Sequence, residues 1–86
     1  MYEVWLTTKA EKSYLKLDAD TRQRMDRIFE HFEEGEFTHP NIHALRGRFS
    51  GSLRYRLGSW RIIFHILYKE RIVWIESITH RGKAYR

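Results

Sequence analysis

The chain has 86 residues and no cysteine, which confines it to one domain, residues 1–86, and excludes disulfides, thiol catalysis and zinc sites built on thiolates. At 42% hydrophobic, 15% aromatic and 31% charged it has material for one core and is not low-complexity disorder. The net charge of +5 is unevenly placed: residues 41–86 hold ten Lys/Arg against Glu70 and Glu76, while residues 1–40 hold six Lys/Arg against nine Asp/Glu. The longest apolar run, Ile62 to Tyr68, is too short to span a bilayer, and Met1 to Leu6 lacks the pattern of a signal peptide, so a cytoplasmic protein with no membrane partner is expected.

In chain order, Tyr2 to Leu6 reads as a short strand of aromatic and branched residues. Thr8 followed by Glu11 matches a capping box and predicts a helix start at Thr8. Ala10, Tyr14 and Leu17 then share a helical face, and Asp18-Ala19-Asp20 interrupts it. Asp20 and Gln23 are a weaker second cap, followed by Met25, Ile28, Phe29 and Phe32 at helical spacing and by Gly35 as a stop. Two helices so closely joined predict a helical hairpin. Residues 36–44 read as loop, Leu45 to Phe49 as a short edge strand, and Gly47 and Gly51 as turns. Leu53 to Leu57, Trp60 to Tyr68 and Ile72 to Thr79 read as strands, with turns at Gly58-Ser59 and Lys69-Glu70-Arg71. The expected fold is α+β: an N-terminal strand, a helical hairpin, then a three- to four-stranded antiparallel sheet with the helices packed on one face.

Strand phase says which groups sit together. Side chains alternate across a sheet, so Arg54 and Arg56 share one face, and Arg61, Ile63, His65 and Leu67 share one face of the next strand. A two-residue turn at Gly58-Ser59 pairs Leu57 with Trp60 and hence Arg56 with Arg61. Like charges directly opposite are destabilising, so a retained pair points to an anion above it. Charge runs are most often solvated surface. Here the pairing, the charge asymmetry and the shortage of carboxylates argue for a phosphate-binding face and a nucleic-acid partner.

The other candidates are weaker. His39 and His43 have four-residue spacing, but Pro40 between them argues against a helical metal site, so they read as loop histidines and no metal or other cofactor is expected. His65 reads as a packed or half-exposed mid-strand histidine. His80, beside Arg81, reads equally as a substrate-orienting group or a structural hydrogen-bonding one. Tyr85, among Arg81, Lys83 and Arg86, has the composition that stacks single-stranded bases.

Leu45-Arg46-Gly47, the run Leu53-Arg54-Tyr55-Arg56-Leu57-Gly58-Ser59-Trp60-Arg61-Ile62-Ile63-Phe64, then His80-Arg81 and Ala84-Tyr85-Arg86 together resemble the RelE toxins of prokaryotic toxin–antitoxin systems, within the RelE/ParE superfamily. The resemblance covers nearly the whole chain. It implies a type II toxin: a ribosome-dependent endoribonuclease, or mRNA interferase, that cuts mRNA in the decoding site by metal-independent 2′-hydroxyl attack and so inhibits translation. Its implied partners are a cognate antitoxin, the ribosome and mRNA. Carried over, Arg54 and Arg56 stand near nucleophile and phosphate, Arg61 neutralises transition-state charge, Arg81 assists the leaving oxygen and Tyr85 stacks on or orients the base. Arg46, Arg48, His80, Lys83 and Arg86 would complete the RNA-binding surface. Well-studied RelE members carry lysine where Arg54 and Arg56 stand; a guanidinium stays protonated, so electrostatic stabilisation fits these positions better than base catalysis. ParE relatives share the fold but poison DNA gyrase without cutting RNA, and that is the rival reading, with a catalytically inactive binding module behind it.

Overall fold

The computed structural model describes residues 1–47 and 50–81. Seven elements follow in order: β1 (Glu3–Leu6), α1 (Thr8–Leu15), α2 (Ala19–Glu33), β2 (Ile42–Ala44), β3 (Leu53–Leu57), β4 (Trp60–Leu67) and β5 (Ile72–His80). The strands form one five-stranded sheet in the order β1-β5-β4-β3-β2. Strands β2 to β5 are antiparallel neighbours, as expected. The N-terminal strand joins the same sheet, parallel to β5 with Glu3 opposite Ile72, so the sheet is mixed. No helix among the described residues is long and apolar enough to cross a membrane.

Both helices start one cap earlier than the sequence signals suggest. Thr7, in extended backbone, accepts from the Ala10 amide at 3.1 Å. Its hydroxyl donates to the Glu76 carbonyl at 2.8 Å, so a contact with β5 selects Thr7 over Thr8. Asp18, not Asp20, caps α2, accepting from the Thr21 amide and hydroxyl at 3.3 and 2.6 Å. Those bonds hold its carboxyl below the ordinary value. The Arg22 guanidinium donates to the Leu15 and Leu17 carbonyls at 3.3 and 3.0 Å, satisfying acceptors at the end of α1. Gly35, at φ 78°, supplies the left-handed residue that ends α2.

The helical face predicted from spacing is the buried one: Met25, Ile28 and Phe32 of α2, with Ala10 and Leu17, pack on Ile62 and Phe64 of β4 and on Val73, Ile75 and Ile78 of β5. Phe32 lies on Phe64 with ring centroids 4.5 Å apart. The edge strand is displaced from its expected place. Ile42, His43 and Ala44 pair with Tyr55, Arg54 and Leu53 inside the stretch read as loop, and Leu45 follows only with its amide, which donates to the Ser52 carbonyl at 3.0 Å. Ile42 wins this register because it lays its side chain on the core beside Tyr55. Arg48 and Phe49 lie outside the described residues.

One irregularity matters for the site. Ile63 pairs with Ser77 but Phe64 with Ile75, so Glu76 is an extra residue in β5. The buried residues of β5 are accordingly Val73, Ile75 and then Ile78, a step of two followed by a step of three.

Candidate functional site

The helices cover one face of the sheet, and the candidate site is the other. Register and alternation place three cross-strand rows on that open face. Arg56, Arg61 and Thr79 form the first, at the hairpin end. His43, Arg54, Ile63 and Ser77 form the second. Ser52, just before β3, and His65 continue the phase into a third, which the bulged Glu76 joins. Three of the expected catalytic residues, Arg54, Arg56 and Arg61, are thus brought together, with Arg56 directly opposite Arg61.

The β3–β4 hairpin makes this pairing obligatory. Gly58, at φ 58°, takes the left-handed conformation at the first turn position, where a two-residue type II′ turn needs glycine. The turn then pairs Leu57 with Trp60, and alternation does the rest. Arg56 is exposed and Arg54 half-buried. Arg61 is only 6% exposed, and among the described residues it is the one buried charged side chain. Among the described residues, the buried Nε of Arg54 has no hydrogen-bond partner. These positions concentrate positive charge in partly desolvated surroundings, where hydrogen bonds to an anion are strong.

The remaining expected residues are placed less uniformly. The Arg81 amide donates to the Ser59 carbonyl at 2.6 Å, which ties the end of β5 to the hairpin turn and brings Arg81 to the Arg56–Arg61 end. His80 pairs with Trp60 in register and packs edge-on against its ring at 5.1 Å, so it belongs to the helix-side face and not to the arginine face. Arg46 is exposed in the β2–β3 connection. Arg48, Lys83, Tyr85 and Arg86 lie outside the described residues.

Sequence reasoning missed Glu76, and with it the company His65 keeps. One oxygen of Glu76 accepts from Ser52 Oγ at 2.7 Å and from His65 Nδ1 at 2.6 Å. The signal was present: of the two acidic residues in 41–86, Glu70 falls in a turn and Glu76 inside a strand. His39 and His43 do not converge on a metal: His39 accepts from the Asn41 amide in the loop, while His43 is on β2 opposite Arg54. Among the described residues, His31, Glu34 and Glu36 bring three potential ligand atoms within 4.8 Å of one another, all exposed. They sit at the end of α2, away from the arginines, and the His31–Glu36 pair already joins two of them at 2.7 Å.

Comparison with solved structures defines the class. The RelE–RelB complex from the archaeon Pyrococcus horikoshii is similar with TM-score 0.81 and 23% identity, covering 96% of this chain and 98% of that one. The isolated E. coli RelE toxin gives 0.79 and 17%, covering 99% and 89%. The YoeB/ParE toxin from Agrobacterium tumefaciens gives 0.79 and 12%, covering 91% and 96%. At these identities the fold is what is shared, and it is the RelE-like fold.

The family follows from the sequence itself. Residues 4–85 match the family model described as ParE toxin of type II toxin-antitoxin system, parDE. The chain belongs to that family and is a toxin of the RelE/ParE superfamily, as the motif in β3 and β4 led one to expect. No curated protein matches the sequence.

Proposed function

We propose that this toxin is a ribosome-dependent endoribonuclease that cuts mRNA, acting in the cytoplasm and held inactive by a cognate antitoxin. The observation that carries the reading is the convergence of Arg54, Arg56 and Arg61 on one open face, with Arg56 facing Arg61 across the hairpin. Like charges directly opposite repel, and a phosphate laid over both relieves that repulsion. In this mechanism Arg54 and Arg56 hold the scissile phosphate, Arg61 stabilises the negative charge that grows on it, and Arg81 assists the departing 5′-oxygen. Tyr85 stacks on a base, and Arg46, Arg48, Lys83 and Arg86 track the strand. The attack of the 2′-hydroxyl leaves a 2′,3′-cyclic phosphate and a 5′-hydroxyl. An antitoxin partner is supported by the similar structures that are themselves toxin–antitoxin complexes, the P. horikoshii RelE–RelB pair among them.

The face is open and its guanidiniums do not titrate, so the ribosome supplies the positioning, an effect worth ~7–11 kcal/mol in well-oriented reactions. Purified toxin should cut mRNA on programmed ribosomes and barely cut the same RNA free in solution. Equal cutting of free RNA would remove the ribosome from the mechanism. A second reading is favoured by the family match itself, which is to ParE: the basic face docks on DNA gyrase and no RNA is cut. Intact mRNA on ribosomes together with blocked supercoiling would establish that reading instead.

A further inference from the structure

The arginines of the first two rows supply charge but accept no proton, because guanidinium groups keep their protons in any protein setting. The next row supplies one. His65 and Ser52 lie on the same face as Arg54, one same-face step along the sheet, a separation of about 7 Å at ordinary strand spacing. Arg54 and His65 can therefore reach a common nucleotide lying across the Ile63 position. The bulge at Glu76 brings a carboxylate to this row from β5. Its Oε1 accepts from Ser52 Oγ at 2.7 Å and from His65 Nδ1 at 2.6 Å. A carboxylate only accepts, so Nδ1 carries the hydrogen and the imidazole lone pair is at Nε2. Among the described residues, Nε2 has no hydrogen-bond partner. The two side chains are 35% and 31% exposed, which holds them in place yet leaves them within reach of a substrate. His43 also faces Arg54, but among the described residues no carboxylate orients it.

We propose that His65, positioned by Glu76 and Ser52, is the general base for the 2′-hydroxyl; this rests on the ribonuclease reading. The 2′-hydroxyl proton passes to His65 Nε2 as the 2′-oxygen forms its bond to phosphorus. The bond from phosphorus to the 5′-oxygen breaks, that oxygen takes a proton from water, and the imidazolium returns its own to the hydroxide left behind. Glu76 stabilises the imidazolium while it lasts, as a carboxylate does in histidine-based nucleophile activation.

The test is single-turnover cleavage on programmed ribosomes across pH. The parent rate should fall on acidification, since a protonated base cannot take the 2′-hydroxyl proton, and level off at higher pH. The charged groups facing His65 are Glu76 from β5 and Arg54 from β3, with Trp74 opposite, and the helices lie on the far side of the sheet. His65→Gln should lose ~10²–10⁴ in rate and the acid limb with it, and Glu76→Gln should fall between it and the parent. His65→Ala should recover part of its activity in added imidazole, which a structural role would not allow. Parent-like rates for His65→Gln, with Arg61→Ala inactive, would place the base elsewhere and leave the nuclease reading standing. A slow His65→Ala that imidazole cannot rescue, with a lowered Tm, would make the network structural and overturn the proposal. Uncut ribosomal mRNA with the parent protein would overturn the nuclease reading and this inference together.

Discussion

Arg61 and Arg56 face one another, yet their environments differ, and their substitutions should differ too. Arg61 is 6% exposed, so its charge acts in partly dry surroundings and is worth more to a transition state than a solvated one. Arg61→Ala should reduce the cleavage step by ~10²–10³, the loss typical of one preorganised charge-stabilising group, measured in single turnover on ribosomes. Arg56 is exposed, and its main structural effect is repulsion of the opposite arginine, of the order of 0.2–1 kcal/mol for such cross-strand pairs. Arg56→Gln should therefore raise Tm by up to several degrees at low salt, with the gain shrinking at high salt, while RNA cleavage falls. A variant that loses stability along with activity would show that the pair is held together by something other than a substrate anion. Arg54→Lys tests the remaining position: a lysine can titrate, so the variant should cut at least as well as the parent.

At the scale of elements, one hydroxyl joins the helical layer to the irregular strand that shapes the site. Thr7 caps α1 and also donates to the carbonyl of Glu76, the bulged residue whose carboxylate holds Ser52 and His65. Thr7→Ala loses both contacts and should cost ~1–2 kcal/mol, roughly 4–16 °C in Tm for a domain of this size, read by thermal melting. If the bulge depends on that contact, the His65–Glu76 pairing should loosen as well, visible as a shift of the His65 ring resonances by NMR. The strands β3 and β4 were legible in the sequence because their connection is local: Gly58-Ser59 fixes the register, and alternation then puts Arg56 opposite Arg61. The helical face of Met25, Ile28 and Phe32 was legible for the same reason, since spacing alone defines it. What was not legible depends on contacts between distant segments. Glu11 favours Thr8 as the cap locally, until β5 offers Thr7 a carbonyl, and Asp18 and Asp20 are both acceptable before α2. The parallel pairing of Glu3 with Ile72 has no local signal at all. The bulge hides in Val73, Ile75 and Ile78, whose uneven step looks like ordinary alternation until the register is known. The edge strand was misplaced because Ile42 follows Pro40 and Asn41, which read as loop, while Leu45 carries the more strand-like neighbours.

For the whole molecule, charge is divided along the chain, nine acidic against six basic residues over 1–40 and two against ten over 41–86, and β2 to β5 all lie in the second stretch. The helical stretch, residues 8–33, holds six basic and six acidic residues and offers a polyanion no net attraction, so a nucleic acid should approach the open face of the sheet. Electrostatic binding to a single strand weakens with log salt at a slope of roughly −0.7 per phosphate neutralised, so engagement of Arg54, Arg56 and Arg61 predicts a slope of about −2 from these three residues alone. Removing Arg54 or Arg56 should make the slope shallower by about 0.7 each. Arg24 is a matched control: it is equally cationic but on α2, paired with Asp20 at 3.3 Å and facing away from the sheet. Arg24→Ala should leave the slope unchanged. Fluorescence anisotropy of a short labelled oligoribonucleotide, titrated at several salt concentrations, measures all four proteins under one condition set. Equal changes for Arg24→Ala and Arg54→Ala would mean that the whole surface attracts RNA without orientation. A parent slope near zero would mean that the sheet does not bind RNA by its arginines, and the basic face would then be a surface for a protein target, as the gyrase-binding reading requires.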